Sequence, residues 1–359
     1  MRQLVFAAVV VLSTVGHVAA QSPLTTEFEK YHVSIKVKQA EARKDQILDQ
    51  KEHSEILEFQ AIEVGKLFEL ALEEPTTELA FDVFCEVLGS ESDKAEKAMA
   101  LIAEKHLDQP HVKKLLLALG YGNTPSNQDL LRTVIQTNKY KDCQALATYS
   151  LGLLFKKNAK EAKGDDKDSH ILAAEKHFNM VSEKYANVKL GEELLGKLAA
   201  SQLMGLKMMD QLQVGKPVPE ISGEDLDGKA LKLSDFKGKV TLLSFWATWC
   251  QPCMALVPHE IALAERMKDR PFDLVGVNGD KLNDAVREKI VDKKITWRSF
   301  KNEQSGQAPL SDIWGIDGWP TIFVIDSEGV VRNIWTGSPS EKELDESIEE
   351  LVKEAEKKD

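Results

Sequence analysis

The chain has 359 residues, of which 43% are hydrophobic and 29% are charged. Since domains average about 150 residues, this length predicts two domains, and the composition is that of a globular protein with a sizeable core. The formal net charge of −12 argues against partners such as nucleic acid or an anionic membrane surface.

Residues 1–20 have the pattern of a secretory signal peptide. Arg2 gives a short positive start, residues 4–15 are mostly apolar, and small residues at 18–20 form a cleavage site before Gln21. The apolar part is short for a bilayer span, and no later stretch reaches the roughly 18 apolar residues needed to cross one. We therefore expect signal removal, no membrane span afterwards, and export to the periplasm or another extracytoplasmic compartment; retention of the segment as an anchor is the alternative.

Residues 21–212 predict an all-helical domain, because helix-forming residues dominate and β-branched runs are absent. Small residues at 145–152 and an aromatic-containing helix at 173–178 weakly resemble a tetratricopeptide hairpin, but no strict period of about 34 residues repeats. We predict an irregular, repeat-like helical array. The predicted helices span 26–48, 53–73, 77–89, 91–106, 110–119, 126–137, 140–161, 168–186 and 190–212.

Two isolated cysteines, Cys85 and Cys143, lie in this helical domain. Each has apolar neighbours, which fits small buried hydrophobic residues. In an exported domain they equally fit one structural disulfide. Both interpretations stay open, since the sequence does not supply the distance between the two Cα atoms.

The chemistry of the chain is concentrated in two cysteines separated by two residues. Cys250 and Cys253, within the Trp-Cys-Gln-Pro-Cys segment at 249–253, directly follow the apolar run at 240–246. A buried strand there turns into a helix with Cys250 in its first turn, where unpaired N–H groups and the helix dipole favour a thiolate. Pro252 suits the first turn because its missing N–H costs nothing there. The pattern predicts a reversible dithiol/disulfide.

Other uses of the cysteine pair fit the chain less well. Zinc would need a second ligand pair, and Cys85 and Cys143 are isolated from each other and from clustered histidines. Covalent haem attachment needs histidine directly after the second cysteine, where Met254 stands. A purely structural disulfide remains an alternative, but the aromatic residues at 245–249 favour redox chemistry. We therefore predict no metal and no cofactor.

A second motif strengthens the redox interpretation. Gly318-Trp319-Pro320-Thr321 precedes the apolar run 322–325, which predicts a buried strand, and an X-Pro bond at such an entry can be cis. Together the two motifs resemble thioredoxin. The segments at 215–219, 225–229, 233–239 and 245–250 narrow the resemblance to the TlpA-like thiol-disulfide oxidoreductases, over roughly residues 213 to 357.

The resemblance implies a thioredoxin-like α/β fold for residues 213–359, with an extra N-terminal β-hairpin and an inserted helix and strand between 278 and 314. It also implies a nucleophilic Cys250, a resolving Cys253 and a cis-Pro320 facing the pair. We predict strands at 241–245, 272–277, 321–325 and 330–335, and a closing helix at 344–357.

The chain departs from thioredoxin at one position that matters for proton transfer. Thioredoxin carries a buried aspartate on the strand before the cysteines, and Ser244 occupies that place. Some relatives use an acid after the next central strand, which makes Asp280 a candidate proton acceptor for Cys253. A turn or helix-capping role for Asp280 is the favoured alternative. On the helix after the cysteines, which Pro258 is expected to kink, we predict an exposed His259.

These motifs predict a thiol-disulfide oxidoreductase that acts on protein disulfides. Trp249, Trp319 and Pro320 are expected to form an apolar collar around the exposed sulfur of Cys250, with Pro252 and Thr321 shaping the site. The expected partners are protein disulfide or dithiol substrates and an upstream electron donor. The reducing rather than oxidising direction rests on the family resemblance.

Two other functions remain as alternatives. A peroxiredoxin-like peroxidase shares the approach segment, but residues 248–253 lack the spacing of proline, threonine and a single cysteine typical of that group. The helical domain could alternatively be the main functional part, offering a concave docking surface to a partner with the dithiol ancillary.

Overall fold

The computed structural model describes residues 22–42, 50–90, 92–122, 125–305 and 308–357. The predicted signal peptide lies outside these ranges. Contacts divide the chain into two compact units, residues 1–197 and 198–359. The domain boundary predicted after residue 212 stays a prediction; Met208 and Leu212 pack against the core of the second unit. Across the described ranges, no helix has both the length and the apolar character needed to cross a membrane.

The first unit is mostly helical, as predicted. Its helices are α1 (Pro23–Ala42), α2 (Gln50–Ala71), α3 (Glu78–Gly89), α4 (Ala95–Lys105), α5 (Lys113–Tyr121), α6 (Pro125–Thr137), α7 (Lys141–Glu161) and α8 (Gly164–Lys184), with α9 (Leu195–Met208) continuing into the second unit. Helix α7 is buried on most of its surface and packs against α5, α6 and α8.

The predicted contact between small residues and an aromatic partner is present between α7 and α8. A Cβ added at Gly152 would lie 2.5 Å from the ring of Phe178, so only glycine allows the two helices this approach. Tyr149 contacts the same ring, with centroids 5.7 Å apart. Neighbouring helices therefore form the core of this unit by close packing.

One short segment of this unit differs from the predicted helix at 190–212. Residues 189–194 form a small antiparallel hairpin, in which β1 (Lys189–Leu190) pairs with β2 (Glu193–Leu194). Gly191 adopts a φ of +60° at the turn, a conformation that glycine reaches without steric cost. Helix α9 consequently begins at Leu195.

The second unit contains a central sheet with helices on its faces. Its elements are β3 (Ser222–Glu224), β4 (Ala230–Lys232), β5 (Val240–Trp246), α10 (Gln251–Met267), β6 (Phe272–Asn278), α11 (Asp284–Asp292), β7 (Ser299–Lys301), α12 (Leu310–Ile313), β8 (Thr321–Ile325), β9 (Val331–Thr336) and α13 (Glu341–Glu356). Strands β3 and β4 form the predicted extra hairpin, and α11 and β7 the predicted insertion.

The five-stranded sheet has the order β7-β6-β5-β8-β9. Strand β5 is parallel to β6 and antiparallel to β8. All seven residues of β5 are buried, because side chains cover both of its faces. Val240 and Leu242 pack with residues of α10 and α13, whereas Leu243 and Phe245 pack into a second cluster on the opposite face. The prediction of a thioredoxin-like α/β fold is confirmed, and the region before it is mostly helical, with the small hairpin at 189–194 as a departure from the all-α prediction.

Candidate active site

The cysteine motif lies where the central strand β5 passes into helix α10. Cys250 has extended backbone angles and is the N-cap residue of α10, and Pro252 lies in the first turn. Strand β5 ends at Trp246, so the four residues 247–250 carry the chain from the buried sheet to the helix. The backbone N–H of Cys253, in the first turn of α10, therefore points towards the sulfur of Cys250.

Cys250 and Cys253 form a disulfide, with their Cα atoms 5.3 Å apart. The backbone N–H of Cys253 donates a hydrogen bond of 3.2 Å to Cys250 Sγ. The expectation of an exposed sulfur is wrong for this oxidised form, since Cys250 is only 4% exposed. The reason is that both cysteines pack in one cluster with Trp246, Val257 and Trp319.

Besides Trp246, the tryptophans Trp249 and Trp319 lie next to the disulfide. Trp249 is 60% exposed, and its ring meets that of Trp319 edge-to-face with centroids 5.7 Å apart. Trp319 also lies against Gly279, where an added Cβ would come within 2.6 Å of the ring. The structure thus brings together Trp249 and Trp319, the tryptophans expected at the site. Gly279, which directly follows β6 and has no side chain, makes room for Trp319.

The Trp319–Pro320 peptide bond is cis, which confirms that prediction. Pro320 is buried, and its carbonyl accepts a hydrogen bond of 2.7 Å from the N–H of Gly337. The hydroxyl of the next residue, Ser338, donates to the carbonyl of Pro252 over 3.2 Å. The loop after β9 therefore links the proline entry of β8 to the first turn of α10. The hydroxyl of Thr321 donates to the carbonyl of Gly318 over 2.7 Å and closes the same turn.

The carboxylate of Asp280 binds the turn that precedes the cysteines. It accepts hydrogen bonds of 2.8 Å from the backbone N–H and the hydroxyl of Thr248, and a third of 2.8 Å from the side-chain amide of Asn278. The N-cap of α11 is Asn283 instead, so Asp280 is not the helix cap that the alternative interpretation suggested. Its described contacts fix Thr248, two residues before Cys250.

A second acid in this region, Glu260 on α10, was not predicted from the sequence. This residue is only 2% exposed, and the hydroxyl of Ser244 on β5 hydrogen-bonds its carboxyl group. Burial raises the pKa of Glu260 to about 7, against the opposing effect of the Ser244 hydrogen bond. The spacing of apolar residues along α10 could have indicated that Glu260 is buried, because Glu260 lies on the apolar stripe of α10 with Cys253, Leu256 and Leu263.

His259, by contrast, is not the exposed residue that the sequence predicts. Its side chain is 10% exposed, and Nε2 lies 3.0 Å from a carboxylate oxygen of Asp345 on α13. Helix α13 packs over this side of the sheet, which covers the imidazole.

The remaining two cysteines are free thiols. Cys143 is buried, its Sγ lies 3.4 Å from the carbonyl of Pro110, and burial raises its pKa to about 11. Burial also raises the pKa of the Cys85 thiol. Of the open alternatives, the structure therefore has two separate thiols rather than a bridge. In the described part of the chain, no cluster of three or more histidine, cysteine or carboxylate side chains is arranged to hold a metal ion.

Comparison with known proteins places this site in a family. Residues 213–351 match the family described as Redoxin. The chain is 30% identical over 141 residues to the thiol-disulfide oxidoreductase ResA of Geobacillus thermodenitrificans, covering 38% of this chain and 78% of that relative. It is 28% identical over 143 residues to ResA of Bacillus thuringiensis, covering 40% and 81%.

Among solved structures, the thioredoxin domain of a thiol-disulfide oxidoreductase from Bacteroides vulgatus is similar, at 28% identity and a TM-score of 0.35. That match covers 39% of this chain and 99% of the other. The chain, through its C-terminal unit, belongs to the thiol-disulfide oxidoreductases of the thioredoxin superfamily.

Proposed function

We propose that this protein is an exported enzyme that reduces disulfides in other proteins through Cys250 and Cys253. One observation carries the proposal: Cys250 Sγ lies at the N-terminus of α10 and accepts a hydrogen bond from the backbone N–H of Cys253. A sulfur in that place is stabilised as a thiolate, and the thiolate is the nucleophile in thiol-disulfide exchange.

The reaction proceeds in two exchanges. The Cys250 thiolate attacks one sulfur of the substrate disulfide, and the other substrate sulfur leaves as a thiolate. Cys253 then attacks Cys250 Sγ, the Cys250–Cys253 bond forms, and the second substrate sulfur leaves with its electron pair. The substrate gains two electrons and the enzyme dithiol loses two. An upstream dithiol donor returns the enzyme to its reduced form by the reverse exchanges.

The surroundings of the pair support binding of an extended protein segment. Trp249 presents an exposed aromatic surface next to Cys250, and Trp319 lies against it. We infer that these rings hold apolar substrate side chains, while the backbone of Trp319 pairs with the substrate strand. Pro252, Pro320 and Thr321 shape this edge through the hydrogen bonds of the adjoining loops.

Asp280 also contributes to the active site, because it binds the turn that precedes Cys250. Its role as proton acceptor for Cys253 stays a prediction. Because three donors already occupy its carboxylate, we propose that it mainly positions Thr248 and hence the chain leading to Cys250.

Export rests on the first twenty residues. A positive start, an apolar segment and small residues before Gln21 support removal by a signal peptidase. Deleting residues 2–20 and comparing cell fractions tests this: the full chain should reach the extracytoplasmic fraction in shortened form, and the deletion variant should stay in the cytoplasm. Equal distribution of the two would contradict export.

The activity is tested by reduction of insulin disulfides with the full chain and dithiothreitol as electron donor. Cys250→Ser should lower the rate at least about a hundredfold, because the nucleophile is lost. Cys143→Ser is the matched control, since it replaces a buried thiol outside the site and should leave the rate unchanged. Undiminished activity of Cys250→Ser would contradict the proposal, and hydrogen-peroxide consumption dependent on Cys250 would favour the peroxidase alternative.

The direction of the reaction is tested separately by the reduction potential of the pair. A value well below about −200 mV fits a reductant, whereas one near or above about −150 mV would indicate an oxidant.

A further inference from the structure

Glu260, on the helix that carries both cysteines, is a buried acid that has no cationic partner among the described residues. Its Oε1 atom has no hydrogen-bond partner among the described residues, and the residue is 2% exposed. A buried carboxyl group costs stability unless it is fully paired, and an apolar residue of similar size would avoid that cost. The position therefore fits a group kept for chemistry rather than for packing.

The helix places this carboxyl on the same side as the resolving cysteine. Cys253 and Glu260 lie two turns apart on α10, roughly 10.5 Å along the axis, and both belong to its buried stripe. Side chains in a helix lean towards its N-terminus, so the long Glu260 side chain extends back towards the turn of Cys253.

Ser244 fixes the other side of the carboxyl. It faces α10 from β5, in the alternating set that also contains Val240 and Leu242, and its hydroxyl bonds to Glu260. Its neighbours across the sheet are Gly276 on β6 and Ile322 on β8, which offer no competing charge. The hydroxyl is thus the polar contact that holds the acid against the centre of the sheet.

The other charged groups on the elements around α10 are engaged elsewhere. Burial and the Ser244 hydrogen bond are the causes of the raised pKa of Glu260, and no charged residue contributes. The nearby polar and charged groups and their partners are His259 with Asp345 and Glu341 of α13, Asp273 of β6 with Lys239, and Asp280 with Thr248. None of these groups is therefore a partner of Glu260.

We propose that Glu260, held by Ser244, is the buried proton acceptor for the resolving thiol Cys253. The inference rests on the proposed function and adds its proton step. The Cys253 thiol gives its proton to the Glu260 carboxylate, and the thiolate attacks Cys250 Sγ of the mixed disulfide. The Cys250–Cys253 bond forms as the bond from Cys250 to the substrate sulfur breaks. The substrate sulfur leaves as a thiolate and is protonated by solvent.

The test follows single-turnover reaction of the reduced full chain with oxidised glutathione, which needs no protein substrate. Release of the second glutathione reports attack by Cys253. In the wild type its rate should rise through a midpoint near pH 7, where Glu260 ionises. Glu260→Gln should remove that midpoint and slow release at about pH 7 at least tenfold, as expected for loss of a general base. Glu260→Asp should restore part of the rate.

Two controls separate this effect from a structural one. Glu265→Gln changes an exposed acid on the same helix and should keep the wild-type pH profile. Asp280→Asn should keep the midpoint near pH 7 even if its rate falls. A wild-type profile in Glu260→Gln, or loss of the midpoint only in Asp280→Asn, would overturn the inference.

A second measurement covers the case in which Glu260→Gln does not fold. Carbon-13 labelling of glutamate carboxyls allows the Glu260 midpoint to be followed by NMR. Ser244→Ala should shift the Glu260 midpoint to higher pH, because the hydrogen bond that it removes stabilises the charged form of Glu260. In the wild type, Glu260 should bind its proton on the order of tenfold more tightly when the reduced cysteine pair carries a thiolate than when the pair is oxidised. Equal midpoints in the two redox states would refute the coupling. Failure of insulin reduction with the coupling intact would contradict only the proposed function.

Discussion

The backbone N–H of Cys253 donates a 3.2 Å hydrogen bond to Cys250 Sγ. Cys250 is the N-cap of α10, so its sulfur occupies the position that a serine or aspartate oxygen takes at many helix N-termini. Free N–H groups and the helix dipole stabilise an anion in this place. The two cysteines are therefore unequal, and Cys250 is the one expected to carry the negative charge after reduction.

This inequality predicts the order in which the thiols react with iodoacetamide in the reduced protein. At about pH 7 we expect Cys250 to be alkylated well before the others, because thiols at helix N-termini ionise below the usual pKa of about 8.5. Cys143, whose pKa burial raises to about 11, and Cys85, whose pKa burial also raises, should remain unmodified. Peptide mass spectrometry over time measures the order. Equal rates at Cys250 and Cys143 would contradict the assignment.

The close approach of Trp319 to Gly279 predicts a sensitive position outside the cysteine motif. Gly279→Ala places a Cβ within 2.6 Å of the indole, so the ring must move. We expect a destabilisation of about 1–3 kcal/mol and slower insulin reduction. Gly65→Ala is the control, since open space surrounds that helical position and alanine favours helices. Wild-type stability and activity of Gly279→Ala would show that the indole position does not matter.

The hydrogen bonds of Asp280 predict the effect of removing its charge. Three donors bind the carboxylate, and an asparagine side chain offers one acceptor oxygen, so Asp280→Asn leaves at least one donor unpaired. We expect a loss of about 1–3 kcal/mol in the free energy of unfolding. Asp284→Asn, an exposed acid in the first turn of α11, should change it by less than about 0.5 kcal/mol. Similar small effects of both substitutions would contradict the positioning role.

The raised pKa of Glu260 predicts how stability depends on pH. Below the unfolded pKa of about 4.5 the acid is protonated in both states and has no effect. As pH rises towards 7 the unfolded chain releases its proton first, so the wild type loses stability, and the loss is complete above the folded pKa of about 7. Glu260→Gln lacks this loss, and its stability relative to the wild type should increase by up to about 3 kcal/mol between about pH 5 and pH 8.

Urea unfolding followed by tryptophan fluorescence measures this difference selectively. All six tryptophans lie in the second unit, so the signal reports the unit that contains Glu260. A difference between variant and wild type that stays constant with pH would mean that Glu260 does not titrate in this range.

The sequence predicts the second unit well because its local signals agree with one another. The apolar run at 240–246, the helix start marked by Cys250 and Pro252, and the Trp-Pro-Thr entry each specify one element of the same fold. The observed strands and the cis bond before Pro320 follow these signals closely. The small hairpin at 189–194 was missed since two-residue strands carry too few side chains to show a period.

The positions that sequence reasoning missed depend on tertiary packing. His259 looks like a surface residue in its helix, and its burial comes from Asp345 on α13, far along the chain. Glu260 is the next residue in the chain, and a lone glutamate is ordinarily exposed. Only its place on the apolar stripe with Cys253 and Leu263 indicates otherwise. The hydrogen bond to Ser244 joins two positions that the sequence analysis had no reason to connect.

Trapping of the mixed disulfide tests the central claim most directly. Cys253→Ala removes the resolving thiol, so a protein disulfide attacked by the enzyme should remain covalently attached through Cys250. Peptide mass spectrometry of the trapped product identifies the joined sulfurs, with Cys250→Ala as the control that should trap nothing. The account predicts a bond between Cys250 and a substrate cysteine, which reducing agent releases. No adduct with Cys253→Ala, or an adduct at Cys85 or Cys143, would contradict it.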